Sequence, residues 1–212
     1  MIFKDREDAA RKLAKKMKHL RHEKPVILAI PRGGVVTGDV IAKELGVPLD
    51  IIVSRKIGAP ANHELAIGAV MHDGSFFPNV DIINALHVPK QYIDAEIKSE
   101  LEEISRRLMK FRGNTEYDLE NKTVILIDDG IATGATMFAA IDWVRKQNPR
   151  RLIVAIPVGP KETIERLSHV AEVVVLEAPE FFNAVGEFYE QFEQVDDSEV
   201  VVILKAHGHK PS

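Results

Sequence analysis

At 212 residues, with 45% hydrophobic and 28% charged residues, 13 Gly and 11 Pro, the chain has ordinary globular composition, which excludes the disordered and fibrous classes. Its formal charge of -4 gives no general attraction for nucleic acid, and the lack of cysteine excludes disulfides and thiolate metal sites. Charges interrupt the opening MIFKDREDAARKLAKKM and no run of about 18 apolar residues occurs, so the expectation is one cytoplasmic domain over 1–212, with no membrane and nucleic acid disfavoured as a partner.

From Asp5 to Leu20 the apolar residues Ala9, Ala10, Leu13, Ala14, Met17 and Leu20 recur every three or four positions, which predicts an amphipathic helix capped by Asp5. PVILAI (25–30) is a short apolar run and predicts a buried strand; PRGG ends it, and a helix follows through Val36, Val40, Ile41 and Leu45 to a stop at Gly46. PLDIIVS (48–54) predicts a second buried strand. The segment RKIGAPANHE after it holds Gly58, Pro60 and Asn62 and is expected to be a mobile loop. LAIGAVM (65–71) and SFF (75–77), separated by HDG, predict a hairpin. Ile93, Ile97, Leu101, Ile104, Leu108 and Phe111 predict a long helix from Lys90 to Arg112, stopped by Gly113, which would be an insertion over about 89–112.

The second half alternates strand and helix: strand 123–128, helix from about Thr133 to Gln147, strand 151–156, helix 161–169 and strand 172–176. Such alternation predicts an α/β fold, a mostly parallel twisted sheet with helices on both faces and its chemistry at the carboxyl ends of the strands. The remaining segment, about 179–212, is expected to form a hood or tail. It concentrates Phe181, Phe182, Phe188, Tyr189 and Phe192, where aromatic core packing is favoured over a base-stacking hood, and His207 and His209 read as a frayed tail rather than a metal site.

VILIDDGIATGAT (124–136) carries the most chemistry. A strand end followed by a small-residue loop and a helix start fans backbone N–H groups toward one point, and the helix dipole favours an anion there. Gly130 and Gly134 permit the turn, while Thr133 and Thr136 supply hydroxyl donors. Asp128 and Asp129 would repel that anion and need a neutral or cationic partner, which the vicinal hydroxyls of a sugar satisfy. A phosphate at one end of the ligand and a diol nearby describe a phosphoribosyl group. The competing reading is an acidic pair in another nucleotide-binding fold with one Asp on a metal, but it leaves the TGAT helix start unexplained, and no Walker A lysine follows either glycine loop.

The acidic pair followed by ATGAT after an apolar strand resembles the signature of type I phosphoribosyltransferases, and PRGGVV, RKIGAP and AIGAV are similar to segments of a widespread bacterial and archaeal branch of that superfamily. The resemblance runs from the first strand to about residue 176. It implies that Asp128 and Asp129 hold the ribose hydroxyls of 5-phosphoribosyl 1-pyrophosphate, and that Gly130, Ile131, Ala132, Thr133, Gly134, Ala135 and Thr136 form the phosphate loop. Arg32, Gly33 and Gly34 would bind the pyrophosphate, where the family often has a cis peptide. The family's flexible loop maps onto 55–70, with Arg55 and Lys56 at its root facing the leaving pyrophosphate; Glu64 or His63 would act as acid or base, or lie as exposed polar residues. Ala132 stands where members using 6-oxopurines carry an Asp, which weakens a hypoxanthine or guanine assignment.

The resemblance implies a transferase whose catalytic candidates are Asp128, Asp129, Arg32, Lys56 and Glu64. It would use small-molecule substrates, namely the donor and a nitrogen acceptor, as a homodimer, with Mg2+ held mainly through the donor's pyrophosphate and ribose oxygens rather than by protein ligands. The alternative is a non-catalytic sensor of the donor or of a nucleotide on the same fold.

Overall fold

The structure, a computed structural model, describes residues 2–211. Helix α1 (Arg6–Met17) starts at Asp5, whose side chain accepts the Asp8 N–H at 2.8 Å, as the sequence predicts. β1 (Val26–Ala29), α2 (Gly33–Leu45), β2 (Leu49–Ile51), β3 (Ser54–Ala59), β4 (Asn62–Met71), β5 (Phe76–Pro78), α3 (Val80–Ala85) and α4 (Lys90–Arg112) make the first half. The second half is β6 (Thr123–Ile127), α5 (Ala135–Lys146), β7 (Arg151–Val158), α6 (Lys161–Ser168), β8 (Glu172–Glu177) and α7 (Asp197–Ala206).

Five parallel strands form the central sheet in the order β2-β1-β6-β7-β8. The strand period of two sorts their side chains between two faces. Ile27, Ala29, Ile125, Ile127, Ile153 and Ala155 pack with α1, α2, α4 and α7, while Leu28, Val124, Leu126, Val154 and Ile156 pack with α5 and α6. Helices therefore cover both faces, as expected of strands that are apolar along their whole length. Among the described residues no helix is long and apolar enough to cross a membrane.

Two expectations are corrected. The strand predicted over 48–54 is cut short, because after Ile51 the chain leaves the central sheet and from Ser54 enters a separate antiparallel sheet, β3-β4-β5. Ile52 and Val53 are buried in between, and an apolar run buried at both ends hides the handover. The segment expected to be a mobile loop, RKIGAPANHE, forms most of the β3-β4 hairpin, turning at Pro60 and Ala61. Register irregularities around Gly58 explain the misreading: the strands come so close that a Cβ on Gly58 would lie 2.6 Å from His63 Cα, and a glycine required by a bulge looks like a loop glycine in sequence. The predicted β4-β5 hairpin is present.

Helix α4 has the predicted bounds and ends at Gly113, whose φ of 76° suits glycine. Tyr92 Oη donates to Gly58 O at 3.0 Å and Arg55 Nε reaches Glu100 Oε2 at 2.5 Å, so the helix is fastened to β3. At its end Arg112, 4% exposed, forks onto Asp50 with Nε–Oδ1 2.6 Å and Nη2–Oδ2 2.7 Å, and it also donates to the carbonyls of Asn114 and Glu116. Its guanidinium lies 4.0 Å from the centre of the Tyr117 ring.

The expected frayed tail is also corrected. Residues 197–206 form α7, capped by Asp196 accepting from Glu199 N–H at 2.9 Å, and Val200 and Leu204 are buried against the core. His207 Nε2 sits 2.7 Å from Asp39 Oδ1 and His209 Nε2 2.8 Å from Leu49 O, which fastens the tail to α2 and β2.

Candidate functional site

The register of β1 against β6 places the two signature loops side by side. Ala29 pairs with Ile127, and Ile30 N–H donates to Ile127 O at 2.9 Å, so the turn at Pro31 lies level with Asp128. The Pro31-Arg32 peptide is cis. Gly33 and Gly34 then open α2 directly against the acids. A Cβ on Gly33 would come within 1.9 Å of Asp129 Oδ2, and one on Gly34 within 2.9 Å of Asp128 Cα. No other residue fits at either position without moving the carboxylates. Arg32 reaches outward, 36% exposed, with its nearest acid, Asp197 on α7, 3.8 Å away.

The acid pair is not an ordinary surface pair. Asp128 Oδ1 accepts from Asp129 N–H at 2.8 Å. Burial pushes the Asp128 carboxyl well above the usual carboxylate range, the neighbouring Asp129 charge adds to that, and the Asp129 N–H and the Arg6 charge oppose it. Asp129 Oδ2 meets Arg6 Nε at 2.6 Å, with both side chains nearly buried. Tyr189 Oη donates to Asp129 O at 2.5 Å, and burial there holds the phenol above its ordinary value.

The phosphate-loop candidates continue from the same strand end. Ile131 N–H bonds Val158 O, and Thr163 Oγ1 donates to Ala132 O at 2.9 Å, so the carboxyl end of β7 and the start of α6 brace the loop. Gly134, at φ 78°, turns the chain into α5, whose first i to i+4 bond runs from Phe138 N–H to Gly134 O at 2.8 Å. The N–H groups of Ala135, Thr136 and Met137 therefore face out of the first turn, with the positive end of the helix dipole behind them. Ala132 and Thr133 are exposed, Thr136 half-buried.

Lys56 and Glu64 are brought to this region. They line a cleft of about 940 Å³ together with Thr133, Ala135, Thr136, Phe77 and Phe138. Lys56 Nζ lies 3.4 Å from Glu64 Oε2 across the hairpin. Arg55, one residue earlier on β3, faces the other way and is held by Glu100 on α4. His63, next to Glu64 near the hairpin turn, is exposed. Among the described residues no group of three or more His, Cys, Asp or Glu side chains is placed to hold a metal ion.

Sequence reasoning missed Arg6 and its supports. Phe3 bridges to Tyr189, and Arg6 Nη1 donates to Glu193 O at 2.7 Å while its guanidinium lies 3.9 Å from the Phe192 ring centre. Within the aromatic segment, Tyr189 joins a small core with Phe3 and Val158, Phe182 and Phe188 stack at 5.4 Å, and Phe181 stands 92% exposed. Core packing thus accounts for Tyr189, and Phe192 serves as the bed for Arg6. No local motif marks Arg6, because its partners lie more than a hundred residues away in sequence.

Burial of Asp128 carries a stability cost with a definite sign. Because its folded carboxyl titrates above the ordinary value, the folded chain keeps a proton that the unfolded chain releases, and stability falls as pH rises through that window. Asp128→Asn, neutral throughout, is expected to be more stable than the natural chain at about pH 8 and less dependent on pH. Thermal unfolding followed from acid to alkaline pH checks this; equal pH dependence of both proteins would refute it.

A family model described as "Phosphoribosyl transferase domain" matches residues 2–193. Two Mycobacterium tuberculosis proteins, provisionally named phosphoribosyl transferases, are each 40% identical over 209 residues, 97% of this chain and 47% of theirs. The chain thus spans about half the length of the curated relatives it matches. The crystal structure of TT1426 from Thermus thermophilus is 40% identical with a TM-score of 0.81, covering 96% of this chain and 98% of that one. A purine phosphoribosyltransferase from Pyrococcus horikoshii Ot3, 18% identical with a TM-score of 0.51 and covering 92% of this chain and 99% of that one, shares the fold.

Proposed function

The chain belongs to the phosphoribosyl transferase domain family, and from that premise we propose that it transfers phosphoribose from 5-phosphoribosyl 1-pyrophosphate to a nitrogen acceptor with release of pyrophosphate. The observation that carries the reading is the convergence of three parts on adjacent strand ends: the acid pair, the Gly33-Gly34 turn pressed against it, and the start of α5. Each meets a different demand of one ligand. Asp128 and Asp129 take the ribose hydroxyls, the loop Gly130–Thr136 takes the 5-phosphate, and Arg32 with the amides of Gly33 and Gly34 takes the pyrophosphate.

In this reading Lys56 supplies positive charge toward the leaving group from the hairpin, and Glu64 beside it is the acid or base toward the incoming nitrogen. Arg55, committed to Glu100, would join only by exchanging that partner. Mg2+ would be held mainly through the donor's own pyrophosphate and ribose oxygens and so asks for few protein ligands, which suits a site where Asp129 already has Arg6 on one of its two oxygens. When bound, it would neutralise the pyrophosphate as a Lewis acid. A homodimer, a cytoplasmic setting, a role in nucleoside or nucleotide salvage and a single domain over 1–212 belong to the same proposal.

The test is pyrophosphate release that depends on the donor, with Mg2+, screened over purine, pyrimidine and other nitrogen acceptors. The expected result is release above donor hydrolysis for one acceptor class. Donor binding without turnover for any acceptor would favour the sensing alternative, and no donor binding would overturn the reading altogether.

A further inference from the structure

The acid pair is not presented to a ligand by its own strand alone. Arg6, on the first turn of α1, is fixed at three points: Nε on Asp129 Oδ2 at 2.6 Å, Nη1 on Glu193 O at 2.7 Å, and the guanidinium 3.9 Å from the centre of the Phe192 ring. The helix that carries it is anchored by Ala9, Ala10 and Leu13, all fully buried. From the other side Gly33 closes in, for a Cβ there would lie 2.9 Å from Arg6 Nε as well as 1.9 Å from Asp129 Oδ2. The contact has no slack. Both partners are nearly buried, at 12% and 13% exposure, where a charge-assisted hydrogen bond holds its geometry far better than an exposed pair does.

We propose that Arg6 is a positioning residue for donor binding: by gripping one oxygen of Asp129 it sets the carboxylate in the orientation that receives the ribose hydroxyls, and its charge offsets the acid pair beside a polyanionic ligand. The proposal rests on the donor-binding reading above. Two carboxylates facing a ligand with several phosphates would repel it. Arg6 matches the charge of Asp129 at 2.6 Å, and burial, which raises Asp128, works in the same direction, so the repulsion is reduced. Phe192 and the Glu193 carbonyl then have a task that their place in the C-terminal segment alone does not explain, which is to aim the guanidinium.

The experiment measures affinity for 5-phosphoribosyl 1-pyrophosphate by calorimetry with Mg2+ across pH, for the natural chain, Arg6→Gln and Arg6→Lys, with thermal unfolding of each free protein alongside. Arg6→Gln is expected to weaken binding by about tenfold or more. It should also move the pH midpoint of binding upward, because the charge that lowers Asp128 is gone. Arg6→Lys keeps the charge, so its midpoint should stay near that of the natural chain while affinity falls part of the way, since Lys lacks the planar fork that stacks on Phe192. A residue that only supports the fold would change the unfolding temperature and leave the midpoint in place.

Unchanged affinity and midpoint in Arg6→Gln would overturn the proposal, and so would tighter binding, which would make Arg6 an obstruction to be displaced. If Arg6→Gln does not fold, a midpoint displaced in Arg6→Lys would overturn it equally. Failure of the natural chain to bind donor is a separate outcome: it would remove the functional reading itself, and this proposal with it.

Discussion

Under the proposed function, Asp128→Asn combined with Asp129→Asn is expected to erase most of the stabilisation that 5-phosphoribosyl 1-pyrophosphate would give the folded chain. A ligand present at about a hundred times its dissociation constant adds roughly 2.7 kcal/mol to the stability of the state that binds it. For a chain of this size each kcal/mol moves the unfolding temperature by about 2–4 °C, so the natural protein should gain several degrees and the double variant little. The amides are nearly the same size as the acids and suit the close packing at Gly33 and Gly34, but each presents one acceptor where the acid has two, and the variant leaves Arg6 without its counter-charge. Because Asp129→Asn leaves the nearly buried Arg6 unpaired, the unfolding temperature of the donor-free double variant is measured alongside, and it separates a lost donor response from a weakened fold. A double variant that still gains several degrees would show that the donor does not use these carboxylates.

Arg112→Ala should be the most damaging single change to the fold itself. Removing one member of a buried, forked ion pair leaves the other charged and without its partner, at a typical cost of about 3–5 kcal/mol. Here the fork onto Asp50 is joined by two carbonyl contacts and by the Tyr117 ring, so the substitution also releases the 114–117 segment that follows α4. Denaturant unfolding of Arg112→Ala, Asp50→Ala and the double variant measures the coupling directly. If the two single losses simply add, the fork contributes no coupling energy and its geometry misleads.

What the sequence revealed, and what it hid, divides along one physical line. Helices α1, α2, α4, α5 and α6 are legible because each buries one face that repeats at the helical period, and the central strands because, buried on both faces, they are short continuous apolar runs. The acid pair and the loop Gly130–Thr136 were legible because their whole arrangement is local: strand end, turn and helix start follow one another in the chain. The β3-β4 hairpin was hidden because Gly58, Pro60 and Asn62 serve a bulge and a tight turn, and in isolation the same residues mark irregular chain. Helix α7 carries local signals, Asp196 as its cap and Val200 and Leu204 four apart, but what fixes the chain beyond it, His207 on Asp39 and His209 on Leu49 O, comes from residues far away in the chain. Arg6 was hidden for a deeper reason. Nothing within its own helix distinguishes it from the other charges there, and its meaning depends on Asp129, Phe192 and Glu193, which only the tertiary fold brings to it.

The parallel register of β1 with β6 also bears on how the chain reaches this state. Val26 pairs with Val124, so the ladder closes only after everything between them has been synthesised and brought into place, and such distant closures come late and slowly. During synthesis the glycine turn therefore waits without its acids until the second half of the polypeptide has emerged. Ligand in the surrounding solution has nothing complete to grasp before then, so it would slow unraveling of the finished protein while leaving the early stages of its assembly untouched.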